Sequence, residues 1–351
     1  MLGILVLCST LFITFSLVKN ALFGKQVSSD SFTGTIDVIV PVSGTDTFHP
    51  EQWSRALLDL RSPFVKIYIL IDGHHPFIEQ LNNFAAQFTF VEIHSFLTRP
   101  ENTEATTWMI SQISHRLSSE VVVIADPELI PSGTIFHSIA KMTKEKDRVY
   151  LTLPQTGKSK VVNEAIATLH PNLIFASLFG MQKYRFTLTL PIISLTRMWI
   201  AMPLQTFKEL PSQNLRGQFK ESFYQHWFDE KKAVSLAFGE KHLLRDYPIV
   251  IEEQLKEFRD FWSHLWNLHS RKSFAIMVYT LVVWSFPLIC FAHPFWAMGS
   301  IFLLVLYRFF SKIVFQESWT AAILHPLATI ISWAGLFWWI YEQAGPKKIR
   351  R

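Results

Sequence analysis

The run from Glu120 to Pro131, EVVVIADPELIP, sets four consecutive β-branched residues and an alanine before a carboxylate and soon closes on a proline. A short, unbroken apolar run of this kind predicts a strand buried on both faces that stops at Asp126. In an open α/β sheet, ligands gather at the carboxyl ends of the strands. Two carboxylates one residue apart, Asp126 and Glu128, also supply the oxygen ligands that a hard divalent cation takes. The alternative is an acid that only caps the following turn, and the triplet by itself leaves both readings open.

Other strand signals surround this one. Thr35 to Val42, TIDVIVPV, empties into Ser43-Gly44, and Val65 to Ile71, VKIYILI, empties into Asp72-Gly73. Between them, Pro50 to Leu60 has helical spacing, with Trp53, Leu57 and Leu60 on one face. Glu104 to Leu117 repeats that spacing ahead of the strand that carries Asp126, and Phe88 to Ile93 reads as a further short strand. Strands alternating with helices predict right-handed crossovers and a mostly parallel sheet, an α/β class. The ends at Ser43, Asp72 and Asp126 should then converge along one edge, as a nucleotide site requires.

Composition matters because the ends of the chain differ from its middle. Of 351 residues, 49% are hydrophobic, with 12 Trp and 31 Phe, more than an ordinary soluble enzyme carries. The surplus sits at the termini. Leu2 to Val18 is an uncharged apolar run near the lower limit for a spanning helix, with no basic leader and no small-residue cleavage site, so residues 1–22 read as an uncleaved anchor. After Arg271 and Lys272, the stretches 273–292, 295–310 and 318–341 make a C-terminal membrane region, 273–341. Arg308 and Lys312 interrupt its middle stretch, leaving two or three membrane segments. Residues 28–267 have ordinary proportions and form one water-facing domain. Lys19, Lys25, Arg271 and Lys272 flank it, which by the positive-inside rule predicts an integral membrane protein with this domain in the cytoplasm. Both cysteines, Cys8 and Cys290, fall in apolar stretches, so neither a disulfide framework nor a thiolate metal site can be built. The net charge of +5 is explained by juxtamembrane Lys and Arg. A membrane surface, and no nucleic acid polymer, is the expected acidic neighbour.

In chain order, PVSGTD from Pro41, LIDG from Leu70 and IADPELIP from Ile124 resemble the motifs of glycosyltransferase family 2, inverting enzymes with a GT-A fold. LPQTG from Leu153 and LHPL from Leu324 look like segments of its membrane-bound members, the ceramide and carotenoid glucosyltransferases. The resemblance implies a GT-A-like, mostly parallel sheet with flanking helices, set between an N-terminal anchor and C-terminal membrane helices. It implies a nucleotide site at Pro41, Ser43, Asp46, Asp72 and Asp126, with Asp72 reading the base. A divalent metal, Mg or Mn, is implied at Asp126 and Glu128. Counting on from Gly217-Gln218-Phe219 places the acceptor base at Asp229 or Glu230, and the acceptor side falls at Trp262, His264 and Trp266. The implied activity moves a sugar from a nucleotide-sugar donor to a lipid or polyisoprenoid hydroxyl at the membrane. For Asp229 and Glu230, followed by Lys231 and Lys232, a solvated helix face is the competing reading.

The chain also departs from the family pattern. Leu265 stands where the family carries the Arg of its Q-x-x-R-W element, Gly44-Thr45 replace Asn-Glu, and no basic residue occurs from Thr106 to Met109. All three are phosphate-handling positions. They open a second reading, a degenerate transferase fold that acts as a membrane partner or regulator. A third, a transporter component, would rest on His293, Arg308 and His325 as the ionisable residues within the apolar stretches.

Overall fold

The computed structural model describes residues 32–43, 48–60, 64–73, 78–100, 103–156, 196–210, 234–239, 243–245 and 293–315, together with 14–19, 25–26 and scattered single positions. The chain divides into two compact units. One comprises Gly24–Gln155 with Arg197–Arg245, the other Met1–Phe23, Thr156–Thr196 and Asp246–Arg351.

The first unit is built on strands β1 (Lys25–Gln26), β2 (Ile36–Val42), β3 (Val65–Asp72), β4 (Val91–Phe96), β5 (Val121–Ile124), β6 (Ile130–Pro131), β7 (Val149–Leu153), β8 (Gln155–Thr156), β9 (Trp199–Pro203), β10 (Val234–Phe238) and β11 (Leu243–Arg245). Eight of them form one sheet in the order β1-β10-β7-β9-β5-β2-β3-β4, and β6, β11 and β8 form a small second sheet. Every pairing in the large sheet is parallel except those of β9, which runs antiparallel to both β5 and β7. The expected α/β class with a mostly parallel sheet is therefore what forms. β2 and β5 are buried along their whole length, because helices cover the sheet and the strands need no polar face.

The helices follow from local chemistry. Helix Pro50–Asp59 starts on a proline, whose missing N–H costs nothing in the first turn, and buries Trp53, Ala56 and Leu57. Leu60, expected as its last turn, is the cap residue and donates its N–H to the Leu57 carbonyl. Helix Ala105–Ile113 is capped by Glu104, whose carboxylate accepts the N–H groups of Thr106 and Thr107 at 3.0 and 2.7 Å. Its expected continuation to Leu117 tightens instead into a 3₁₀ turn, Ser114–Arg116. The strand expected over Phe88–Ile93 begins later, at Val91. Phe88 packs between Phe84 and Phe90, with ring centroids 5.6 Å from each, so these apolar residues close a helix–strand turn rather than extend the ladder. Helix Ile135–Lys146 lies on β5 and β9 and stops where Asp147 turns left-handed, φ 47°.

In the second unit, residues 14–19 are helical, and a 22-residue helix runs from Pro294 to Phe315. Arg308 on that helix is fully buried, whereas Phe12, Phe15, Phe295, Met298 and Phe302 are exposed. Among the described residues, no helix is long and apolar enough to cross a membrane. Of the four expected segments, 273–292 and most of 318–341 lie outside the described residues, 2–18 is described in part, and 295–310 falls within helix Pro294–Phe315.

Candidate active site

Register fixes the edge on which a site can form. In the ladders, Val42 pairs with Ile71 and Ile39 with Ile124, so the carboxyl ends of β2, β3 and β5 leave the sheet side by side. Parallel pairing thus brings Ser43, Asp72 and Asp126 to one edge, the place where open α/β sheets bind ligands. Pro41 is a buried position in the last turn of the β2 ladder, opposite Leu70. Asp46, Asp229, Glu230, Trp262, His264 and Trp266 lie outside the described residues.

Asp72 ends β3, and Gly73 follows at φ 66°. That left-handed conformation favours glycine and lets the chain leave the sheet immediately, while the Gly73 N–H donates to the Phe96 carbonyl at 2.8 Å. The Asp72 carboxylate faces Arg99 Nη1 at 3.0 Å, in a partly exposed pair. Arg99 comes from just beyond β4, the neighbouring strand.

Asp126 is held far more closely. The Ala125 N–H donates to the Ile39 carbonyl at 2.8 Å, keeping the segment after β5 against β2. Asp126 Oδ1 accepts the Glu128 N–H at 3.2 Å, closing an Asx turn. The Asp126 carbonyl accepts the Trp199 indole N–H at 3.4 Å. Trp199 stacks within an aromatic cluster, 5.8 Å from Trp53 and 5.3 Å from Phe136 by ring centroid. A rigid apolar wall therefore backs the acid.

The second carboxylate oxygen meets two cations. Lys220 Nζ stands 3.2 Å from Asp126 Oδ2 and Arg197 Nη1 stands 3.5 Å from it, while Arg197 Nη2 reaches Glu128 Oε1 at 2.7 Å. Burial alone would raise the Asp126 pKa, but the charges of Arg197 and Lys220 and the hydrogen bonds from Lys220 and the Glu128 backbone outweigh it and hold the carboxyl below its ordinary value. Asp126 is ionised at neutral pH, and its charge is answered by side chains.

Arg197 and Lys220 are absent from the residues that sequence reasoning singled out, and so is Arg99. Arg197 lies two positions before β9. Because β9 is antiparallel to β5, with Ile200 opposite Ile124, its entry lies at the same edge where β5 exits. Lys220 follows directly on Gly217-Gln218-Phe219, the one local signal that could have marked it. The cations the structure sets at the D-x-E carboxylates are Arg197 and Lys220.

No family model matches the chain, and no curated protein matches it. Among solved structures, it is similar to a mannosyltransferase from Pyrobaculum calidifontis in complex with GDP-Man and Mn²⁺, at 8% identity and a TM-score of 0.51, covering 98% of this chain and 100% of that one. The fold is of the GT-A type. A glucosyl-3-phosphoglycerate synthase from Mycobacterium tuberculosis, in complex with Mn²⁺, UDP and its product, aligns at 16% identity over 67% of this chain and 80% of that one, with a TM-score of 0.42. The GT-A assignment rests on the first of the two.

The Pyrobaculum mannosyltransferase holds Mn²⁺, so the fit of a divalent ion can be tested against this site. Among the described residues, no group of three or more His, Cys, Asp or Glu side chains gathers where a metal could sit. The two carboxylates of the triplet already face a guanidinium and an ammonium. The side-chain arrangement does not fit a resident divalent cation.

Proposed function

We propose that this protein is a membrane-bound inverting glycosyltransferase that moves a sugar from a nucleotide-sugar donor to a lipid or polyisoprenoid hydroxyl. The observation that carries this reading is the gathering of Ser43, Asp72 and Asp126 at one carboxyl edge of β2, β3 and β5 in a GT-A-type sheet. In this scheme Pro41, Ser43, Asp46 and Asp72 border the nucleoside, and Asp126 and Glu128 mark the diphosphate end. The Mg²⁺ or Mn²⁺ expected from the sequence would have to displace Arg197 and Lys220 from these carboxylates, and no step is routed through it.

Asp229 or Glu230 takes the acceptor's hydroxyl proton. The freed oxygen bonds to the anomeric carbon from the face opposite the diphosphate. The bond from that carbon to the diphosphate oxygen breaks, its electron pair leaves with the nucleoside diphosphate, and the configuration inverts. Charge that gathers on the leaving group is opposed by the cations fixed at the sheet edge. Trp262, His264 and Trp266 form the acceptor side.

A lipid acceptor is supported by the exposed Phe12 and Phe15 and by Phe295, Met298 and Phe302 along one helix, since exposed apolar faces mark surfaces with a partner. The same side chains, with the Lys and Arg at 19, 25, 271 and 272, support an integral membrane protein whose sheet unit faces the cytoplasm. The test is transfer of labelled sugar from UDP- and GDP-sugars into a membrane lipid extract by the full chain in detergent. Label should enter the organic phase and fall by ~100-fold or more in the Asp229→Asn, Glu230→Gln variant. Nucleotide binding without transfer would assign the partner or regulator role instead. Neither binding nor transfer with any donor removes the reading.

A further inference from the structure

Asp126 and Glu128 look in the sequence like a pair of metal ligands. In the structure they are the counter-ions of two protein cations. Both Asp126 oxygens are engaged, Oδ1 by the Glu128 N–H and Oδ2 by Lys220 and Arg197, and Glu128 Oε1 holds the other arm of the same guanidinium. A divalent ion would need those oxygens at about 2.0–2.6 Å, and would have to sit beside two positive groups already there.

Exposure gives the arrangement a direction. The Asp126 side chain keeps 3% of its surface, whereas Lys220 keeps 19% and Arg197 keeps 30%. Asp126 is the least exposed member of the cluster, Glu128 keeps 21%, and the guanidinium of Arg197 is the part that an anion in solvent reaches most readily. One guanidinium and one ammonium carry the same charge as one divalent ion. A guanidinium also offers planar, paired donors that match phosphate oxygens, and it keeps its proton at every working pH. Arg197 is further fixed by its nearness to the β9 ladder, so little reorganisation is needed when charge develops on a leaving group.

We propose that Arg197 and Lys220 together replace the divalent cation in binding the donor's diphosphate, and that Asp126 and Glu128 act as positioning residues for them rather than as metal ligands. The proposal deepens the glycosyl-transfer reading and rests on it for the identity of the anion. It makes donor binding independent of metal. As the bond from the anomeric carbon to the diphosphate oxygen breaks, the negative charge left on that oxygen falls against the guanidinium and the ammonium.

The experiment is calorimetric titration of the detergent-purified full chain with UDP and with GDP, first in EDTA and then with Mn²⁺. The expected result is binding in EDTA that changes less than ~3-fold when Mn²⁺ is added. Lys220→Gln, which leaves Arg197 to balance the carboxylates and so protects folding, should lose ~10-fold, about the worth of one charge-assisted contact. Arg197→Gln with Lys220→Gln should lose ~100-fold in EDTA and regain affinity with Mn²⁺, because the vacated carboxylates can then take the ion. Electron paramagnetic resonance should show Mn²⁺ captured by that double variant with nucleotide and left free by the wild type. Wild-type binding only in the presence of Mn²⁺ overturns the proposal and leaves glycosyl transfer standing. Binding in EDTA that neither variant weakens also overturns it. No binding under either condition overturns the glycosyl-transfer reading and this proposal together.

Discussion

Two aspartates on adjoining parallel strands, Asp37 near the amino end of β2 and Asp126 just past the carboxyl end of β5, are both buried, yet they are satisfied in opposite ways. Asp37 Oδ2 accepts the backbone N–H groups of Ser118 and Ser119, each at 2.9 Å. Its partners are main chain, and they tie the turn before β5 to β2. Asp126 takes one local backbone N–H, from Glu128, but its other oxygen is answered by the tips of Arg197 and Lys220, side chains from segments 71 and 94 residues away. Backbone donors cannot swing toward a ligand, whereas long cationic side chains can engage one while still touching their carboxylate. The amino edge of the sheet is therefore built to be static, and the carboxyl edge to exchange partners.

The largest effect that would break this contrast belongs to Asp37→Ala. It strands two backbone donors, at roughly 1–3 kcal/mol each. Asp37 Oδ1 has no partner among the described residues, which offsets part of the cost, so a loss of about 3 kcal/mol is expected. Denaturant unfolding should show a lower midpoint at unchanged slope, with UDP or GDP affinity unchanged at temperatures where the variant is folded. Asp126→Ala should do the reverse. Arg197 and Lys220 lose their shared anchor, and nucleotide affinity falls by ~30–100-fold, about 2–2.7 kcal/mol, while the unfolding midpoint moves less than in Asp37→Ala. A comparable midpoint shift in both variants would erase the distinction between the two edges.

Acid gives the smallest and sharpest comparison. The Asp126 carboxyl lies below its usual value of 3.8 in the folded protein, so the folded state holds its proton less tightly than the unfolded chain does. Its stabilising contribution is fully present above that usual value and is lost as pH falls through the depressed folded value. The difference in unfolding free energy between wild type and Asp126→Ala should be flat from pH 7 to about pH 5 and shift in favour of the variant below pH 4. A difference that stays constant to pH 2 would mean that the cations do not stabilise the ionised carboxylate.

The sequence made one half of the site legible. Strands β2, β3 and β5 announce themselves because buried parallel strands are continuous apolar runs, and the acids that end them stand out against that background. The lone Asp37 inside TIDVIVPV carried a similar signal, an acid within a buried run, which only demands a partner and does not say where it comes from. β9 was harder. Trp199–Pro203, WIAMP, has no alternation and ends on a proline, so nothing local separates it from a turn. The partners of Asp126 followed β9 into obscurity. Lys220 and Arg197 are ordinary basic residues whose meaning depends on strand direction, a property of pairing rather than of local composition. Asp229 and Glu230, given roles by resemblance, remain assignments for the transfer assay to test.

The reversed direction of β9 also decides which changes this site can absorb. Arg197 takes its position from the ladder that begins at Trp199. A slip of one residue in the β9 ladder would carry Arg197 about 3.3 Å along the strand and turn alternate side chains to the opposite face. The site is thus only as exact as the register in which β9 docks between β5 and β7.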